Sequence, residues 1–194
     1  MPSTASVTTS AELPLQPITV AMFRAMVRSG TIGEKEPVYL WKGRLARRMA
    51  PNRPHSLTLD RSRRALESLI PPAFHVQQQQ LVAMCTEHST PEPHLAVLRG
   101  RPEDVPDNFP TTADLVLMVE VADSSIALHR DQADDFARKE VPTYWIGDLK
   151  TRRIEAYDTP NQGTYQRTSV VSESEDIPIE VNGQEVGRLR VFDL

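Results

Sequence analysis

Inside the stretch DLVLMVEVADSS, from Asp114 to Ser125, a single acid, Glu120, interrupts a run whose other members from Leu115 to Val121 are aliphatic or methionine. Such a run reads as a strand covered on both faces of a sheet. An ionised carboxylate in that setting is costly unless it is paired or holds a cation. Glu120 is therefore either a metal ligand or a core acid with a partner, ion-paired or protonated. His94 opens a second short apolar stretch, HLAVL, just after two prolines, where a strand-start residue with a satisfied ring is the simplest reading. His129 and Arg130 follow Ser124 and Ser125 on a predicted helix. A helix-face role suffices for His129, whereas Arg130 offers a permanent charge that cannot serve as a base at neutral pH. Asp114, Asp123 and Asp148 fall at predicted strand ends, where turns and caps use aspartate routinely. Tyr144 and Trp145 read as core aromatics, and Cys85, with no local histidine or basic partner, reads as an inert thiol.

The elements that must position these groups follow from periodicity. Residues 1 to 16 are rich in Ser, Thr and Pro without periodicity and are expected to form a mobile arm, with one domain over 17 to 194. ITVAMFRAMVRSG predicts a helix over about 18 to 29, stopped by Gly30. VYLWKGRLARRMA suits a hairpin turning at Lys42-Gly43 and forming the start of the sheet. PHSLTLDRSRRALESLIPP carries a helical stripe ended by Pro71-Pro72. FHVQQQQLVAM and HLAVL read as strands. RPEDVPDNFPTTA is a 13-residue loop long enough for a lid or binding role. DLVLMVEVA is the most apolar strand, followed by a helix capped by Ser124 or Ser125 whose inward face takes Ile126, His129 or Arg130, Ala133 and Phe136 or Ala137. VPTYWIGDL and RRIEAYD pair across LKT, and GTYQRTSV and EVGRLRVFD close the chain. The order predicts an α/β domain with a mixed central β-sheet flanked by helices.

Composition narrows the function. The chain has 194 residues, 39% hydrophobic and 25% charged, enough for one domain with a real core. One cysteine excludes an internal disulfide framework, and a cytoplasmic location is expected. No apolar run reaches the length of a membrane helix, and the N-terminus lacks the basic start and apolar core of a signal peptide. The net charge of −4 gives no whole-chain attraction to phosphates. Locally, however, Lys42, Arg44, Arg47, Arg48, Arg53, Arg61, Arg63 and Arg64 meet only Asp60. That segment is either a solvated face and turn or a phosphate-facing patch to which Arg53, His55, Arg61 and Arg64 would contribute.

Three separated segments carry a resemblance: STPEPHLAVL at 89 to 98, ADLVLMVEVADSS at 113 to 125, and DFARKEVPTYWIGDLKTRRIEAYDTP at 135 to 160. Together they resemble the Uma-type putative restriction endonuclease family, of the PD-(D/E)XK nuclease superfamily, over about residues 17 to 194. The resemblance implies a restriction-endonuclease-like core and Mg²⁺-dependent hydrolysis of DNA phosphodiesters. In that chemistry the ion polarises the scissile phosphate and lowers the pKa of the attacking water through hard oxygen ligands. Carboxylates on adjacent strand ends can share one ion because neighbouring strands lie about 4.8 Å apart.

Carried over position by position, Glu120 fits the family glutamate, and His55 fits a histidine before the second helix. The rest departs. Where the family reads PDL this chain reads PHL, so His94 takes the place of the aspartate ligand. The family lysine falls on Ala133, or on Gln132 if the helix is one residue shorter, and an earlier glutamate meets Tyr39. The resemblance thus implies a degraded site: Glu120 and His94 as remaining metal ligands, Arg130 as an electrostatic stand-in, and impaired or absent cleavage. His94 and Glu120, with or without His55, could instead hold Mn²⁺ or Zn²⁺, which accept imidazole nitrogen. The alternatives are a catalytically inactive nuclease-fold protein that binds nucleic acid, or an interaction module that pairs two copies as a homodimer.

Overall fold

The computed structural model describes residues 15–33, 35–48, 52–82, 87–104, 109–181 and 183–191, so nearly all of the expected N-terminal arm, and Cys85, lie outside the described residues. Of the α-helices among the described residues, α1 (Val20–Arg28), α2 (Arg53–Leu69) and α3 (Ile126–Arg138), the last two cover a six-stranded sheet of β3 (Phe74–Gln78), β4 (Leu95–Arg99), β5 (Leu115–Ala122), β6 (Thr143–Asp148), β7 (Arg153–Asn161) and β8 (Thr164–Ser172). The strands lie side by side in chain order, and only β5 and β6 run parallel. A parallel neighbour requires a crossover, and α3 supplies it. Every residue of β5 is buried, as the apolar run requires. Among the described residues no helix is long and apolar enough to cross a membrane.

The expected hairpin forms, as β1 (Val38–Trp41) and β2 (Arg44–Arg47), but it is a separate two-stranded sheet rather than the start of the main one. Its turn residues Lys42 and Gly43 both have positive φ, 48° and 72°, as a tight two-residue turn demands. A Cβ at Gly43 would stand 2.5 Å from the Pro17 side chain, so glycine is needed there for approach as well as for conformation. Backbone bonds from Gly43 to His88 and from Thr90 to Leu40 fasten the hairpin to the segment leading into β4. A strand pair that the sequence reading only half anticipated, β9 (Asp176–Val181) and β10 (Gln184–Arg190), forms a third sheet. Pro178 and the acids of DIPIEV weaken the strand signal of β9, yet Ile177, Ile179 and Val181 alternate inward and are buried.

The main sheet has a covered face on each side. On one, Leu59 and Leu66 of α2 with Ile177, Ile179 and Leu189 pack on Val97, Val119, Val121 and Trp145. On the other, Ala133 and Phe136 of α3 pack on Leu98, Met118, Tyr144 and Ile146. A register shift in β5 decides which face Glu120 meets. Leu98 pairs with Leu115 but Val97 pairs with Leu117, so Val116 is an extra residue. Strict alternation from Leu115, which faces α3, would send Glu120 to the α2 side; the bulge moves Met118, Glu120 and Ala122 to the α3 side. Phe136, fully buried, meets Trp41 at 5.6 Å and Tyr144 at 4.8 Å between ring centroids, holding α3 against both hairpin and sheet.

The expected capping serine of α3 does not cap. Ser125 is the N-cap residue, but its ψ of 13° is not the extended conformation that aims a hydroxyl at first-turn amides. Its oxygen is committed instead to the ring of His129.

Because Phe136 anchors α3 to two elements, Phe136→Ala should destabilise the fold by about 3–5 kcal/mol. Urea unfolding followed by far-UV circular dichroism, with wild type alongside, measures this; a loss below about 1 kcal/mol would show that the helix is held elsewhere.

Candidate functional site

A cleft of about 180 Å³ opens where β4 begins and β5 ends, beneath the N-terminus of α3. Its floor is Glu120, 6% exposed. β4 and β5 are antiparallel with Leu95 opposite Val119, so one step further the register sets His94 opposite Glu120. The alternation of β4 turns His94 to the face of Ala96 and Leu98, the same face as Glu120. The side chains meet: His94 Nδ1 pairs with Glu120 Oε2. The backbone N–H of His94 also points to that oxygen at 3.4 Å.

The pair shifts both groups. Burial alone would raise the Glu120 pKa, but the charge and hydrogen bond of His94, with the ring of His129 nearby, outweigh it and hold the carboxyl below its ordinary value. Burial alone would lower the His94 pKa, but the Glu120 carboxylate outweighs it and raises the imidazole above its ordinary value. The N–H of Val121 also approaches Nδ1 of His94, at 3.1 Å. One nitrogen cannot donate to Glu120 and accept from Val121 together, and beside an ionised carboxylate the charge-assisted bond prevails.

Two further imidazoles flank His94. His55 Nε2 lies 3.1 Å from His94 Nε2, and the rings stand edge to face at 4.5 Å. His55 is held there by the start of α2: Asn52 caps the helix by accepting from the His55 N–H and donates to Asp123, just beyond β5, at 2.8 Å. Burial, then the neighbouring His94, hold its pKa below the usual value. On the other side His129 lies 6.0 Å from His94 between ring centroids. Its Nδ1 is 3.2 Å from Gln132 Oε1 and its Nε2 is 3.0 Å from Ser125 Oγ. The Gln132 amide also bonds Tyr39, whose pKa is raised by burial and by the Glu120 charge. With its NH₂ turned to Tyr39, Gln132 presents a carbonyl to His129, which fixes the proton on Nδ1 and leaves Nε2 as an acceptor.

The structure brings His94, Glu120, His55 and Tyr39 into one cleft. Of the two positions that match the family lysine, Gln132 lines the cleft and Ala133 belongs to the apolar core under α3. Arg130 is not brought there. It lies on the exposed side of α3, its guanidinium held by both carboxylate oxygens of Glu155 on β7. Arg53, Arg61 and Arg64 lie apart from the cleft along the exposed side of α2, and Arg64 is paired with Asp60. Two cleft groups escaped the sequence reading. His129 reads as a helix-face residue because its hydrogen-bond partners, Ser125 and Gln132, lie on its own helix and only the packing of α3 on the sheet brings it near His94 and Glu120. Glu92, two residues before His94, has the parity of a cleft residue and lines it, paired with Arg48. Burial raises its pKa to about 6 against the opposing pull of Arg48.

At one end of the mixed sheet two ligand-type side chains thus face each other, His94 just before β4 and Glu120 on β5. A family model, Uma2, described as putative restriction endonuclease, matches residues 22–187, and the chain belongs to that family. The fold is similar to that of a solved putative nuclease of Anabaena variabilis belonging to DUF820, with TM-score 0.66 and 16% identity over 91% of this chain and 97% of that one. Comparison with curated proteins gives no match.

The His94–Glu120 pair makes metal-free stability depend on pH. The contribution of His94, raised above 6.5, is complete below 6.5 and lost as pH rises through its folded value; that of Glu120, lowered from 4.5, is complete above 4.5 and lost as pH falls. Wild type in chelator should therefore be most stabilised by the pair between pH 4.5 and 6.5. Urea midpoints at pH 5.5 and 8.5 should differ less in Glu120→Gln than in wild type. An unchanged difference would mean the pair does not govern it.

Proposed function

We propose that this chain is a nuclease-family protein, with DNA as the polymer its fold is built to meet, in which Mg²⁺-dependent phosphodiester cleavage is impaired. The observation that carries the reading is the imidazole of His94 opposite Glu120 and bonded to it, in the register position where the family places a second carboxylate. Mg²⁺ prefers oxygen ligands in near-octahedral array and gives up its water reluctantly. The residues around Glu120 do not suit it. Three imidazoles share the cleft with it, and the other cleft carboxylates are already engaged, Glu92 by Arg48 and Asp123 by Asn52.

The family lysine is missing as well; among the described residues the cations that line the cleft are Arg47 and Arg48 of the hairpin end, and Arg48 is paired with Glu92. Gln132, on the cleft wall, offers an amide already divided between His129 and Tyr39, and an amide cannot balance charge developing on a phosphate as a lysine would. Arg130 does not replace it, being held by Glu155 on another surface. What the cleft residues do retain is a fixed hydrogen-bonding frame around one buried carboxylate.

The test is nicking of supercoiled plasmid in Mg²⁺. Wild type should show no nicking beyond Glu120→Ala, whereas His94→Asp combined with Gln132→Lys, which restores the family pattern, should gain at least about tenfold, a barrier change of about 1.4 kcal/mol. The gain should vanish when Glu120→Ala is added. Robust wild-type nicking in Mg²⁺ that depends on Glu120 would overturn the reading.

A further inference from the structure

Groups that disfavour Mg²⁺ are themselves a donor set. His94, Glu120 and His129 each offer a ligand atom, and these atoms lie within 4.8 Å of one another. Two imidazole nitrogens and one carboxylate oxygen suit a borderline transition ion, and three protein ligands with one open position is a common arrangement for Zn²⁺. From this we infer that the cleft is a nitrogen-donor metal site, held by His94, Glu120 and His129 and selective for Zn²⁺-like ions over Mg²⁺. The inference deepens the proposed function, since it concerns the same cleft, and it rests on that reading of His94 as the replacement for a carboxylate.

Three observations support it beyond the cluster. The first is tautomer control at His129. A ligating histidine needs its other ring N–H held by an acceptor so that a lone pair faces the ion. Gln132 Oε1 is that acceptor, and Tyr39 keeps the amide turned the right way. Nε2 then faces the cleft with only the Ser125 hydroxyl on it, and that serine is free to release it because it does not cap α3. The second is burial of the anion. Glu120 sits at the cleft floor with its charge answered only by imidazoles, so a divalent cation supplies what the surroundings lack. The third is the far nitrogen of His94: with Nδ1 turned to Glu120, Nε2 has His55 Nε2 as an acceptor 3.1 Å away, which fixes that ring as Gln132 fixes His129.

The site predicts which changes matter. Gln132 acts as a positioning residue, holding His129 without touching the ion, so its loss should weaken binding about 10–100-fold. Removal of a direct donor should cost at least as much.

The experiment uses the full chain, stripped with chelator, and Zn²⁺ titrated against a chromophoric competitor. One equivalent should bind with a dissociation constant in the micromolar range or tighter, and millimolar Mg²⁺ should not displace it. His129→Asn and Glu120→Gln, chosen to keep size and hydrogen bonding, should each weaken binding at least about tenfold, with circular dichroism confirming that they fold. Gln132→Glu, which keeps an acceptor for His129 Nδ1, should bind Zn²⁺ more tightly than Gln132→Leu. Absence of stoichiometric binding would overturn the inference, as would binding that both His129→Asn and Glu120→Gln leave intact. Failure of the proposed function appears separately, as Mg²⁺-dependent nicking by wild type.

Discussion

A carboxylate buried in the most apolar strand of the chain cannot stay charged without an answering group, and the rest of the site is organised around that requirement. Glu120 is 6% exposed, and its nearest answer is the protonated imidazole of His94 across the strand pair. Removing one member of a buried pair typically costs about 3–5 kcal/mol because the other is left without compensation, although the pair itself adds little net stability. Such an arrangement is weak evidence for a structural role. Apolar residues at both positions would serve the core at least as well.

Position follows from a few local devices. The extra residue Val116 turns Glu120 toward α3 and not α2. The positive-φ turn at Lys42-Gly43 lets the small hairpin fold back and deliver Tyr39 to the cleft wall. Asn52 caps α2 and at the same time ties it to Asp123, which sets His55 against His94. Phe136 locks α3 onto the sheet, and one and two helical turns earlier on the same inward side stand Gln132 and His129. Each device sits on an element with its own buried contacts, so the cleft inherits the rigidity of the sheet.

The strong periodic signals were legible. The apolar run of β5, the stripe and proline stop of α2, and the order of strands and helices all followed from side-chain pattern; that His94 lies near Glu120 followed from the family resemblance, and the two side chains do meet. What escaped depended on information that a linear pattern does not carry. His129 shows nothing local to mark it as a cleft residue, because its partners Ser125 and Gln132 are ordinary helix neighbours and its approach to His94 and Glu120 depends on how α3 packs on the sheet. The Ser125 cap failed because the hydroxyl had a better partner four residues on. Arg130 lies next to His129 in sequence, but one residue is 100° of helix rotation, enough to carry it from the cleft to Glu155. The hairpin was recognised but not its detachment from the main sheet, since pairing partners beyond a turn are set by tertiary packing. β9 was hidden by its proline and acids.

The residues at the positions that depart from the family pattern fit one another. A lysine at position 132 could not accept the Nδ1 proton of His129, and its charge would oppose a cation held nearby. An aspartate at position 94 would leave two carboxylates facing each other without an imidazole between them and would suit a hard ion. With glutamine and histidine in those places, Tyr39 orients the amide, the amide orients His129, and His94 neutralises Glu120. The proposed metal site gives the three departures one physical cause: a nitrogen donor set holds its imidazoles through amide and phenol partners, and a lysine among them would oppose the cation.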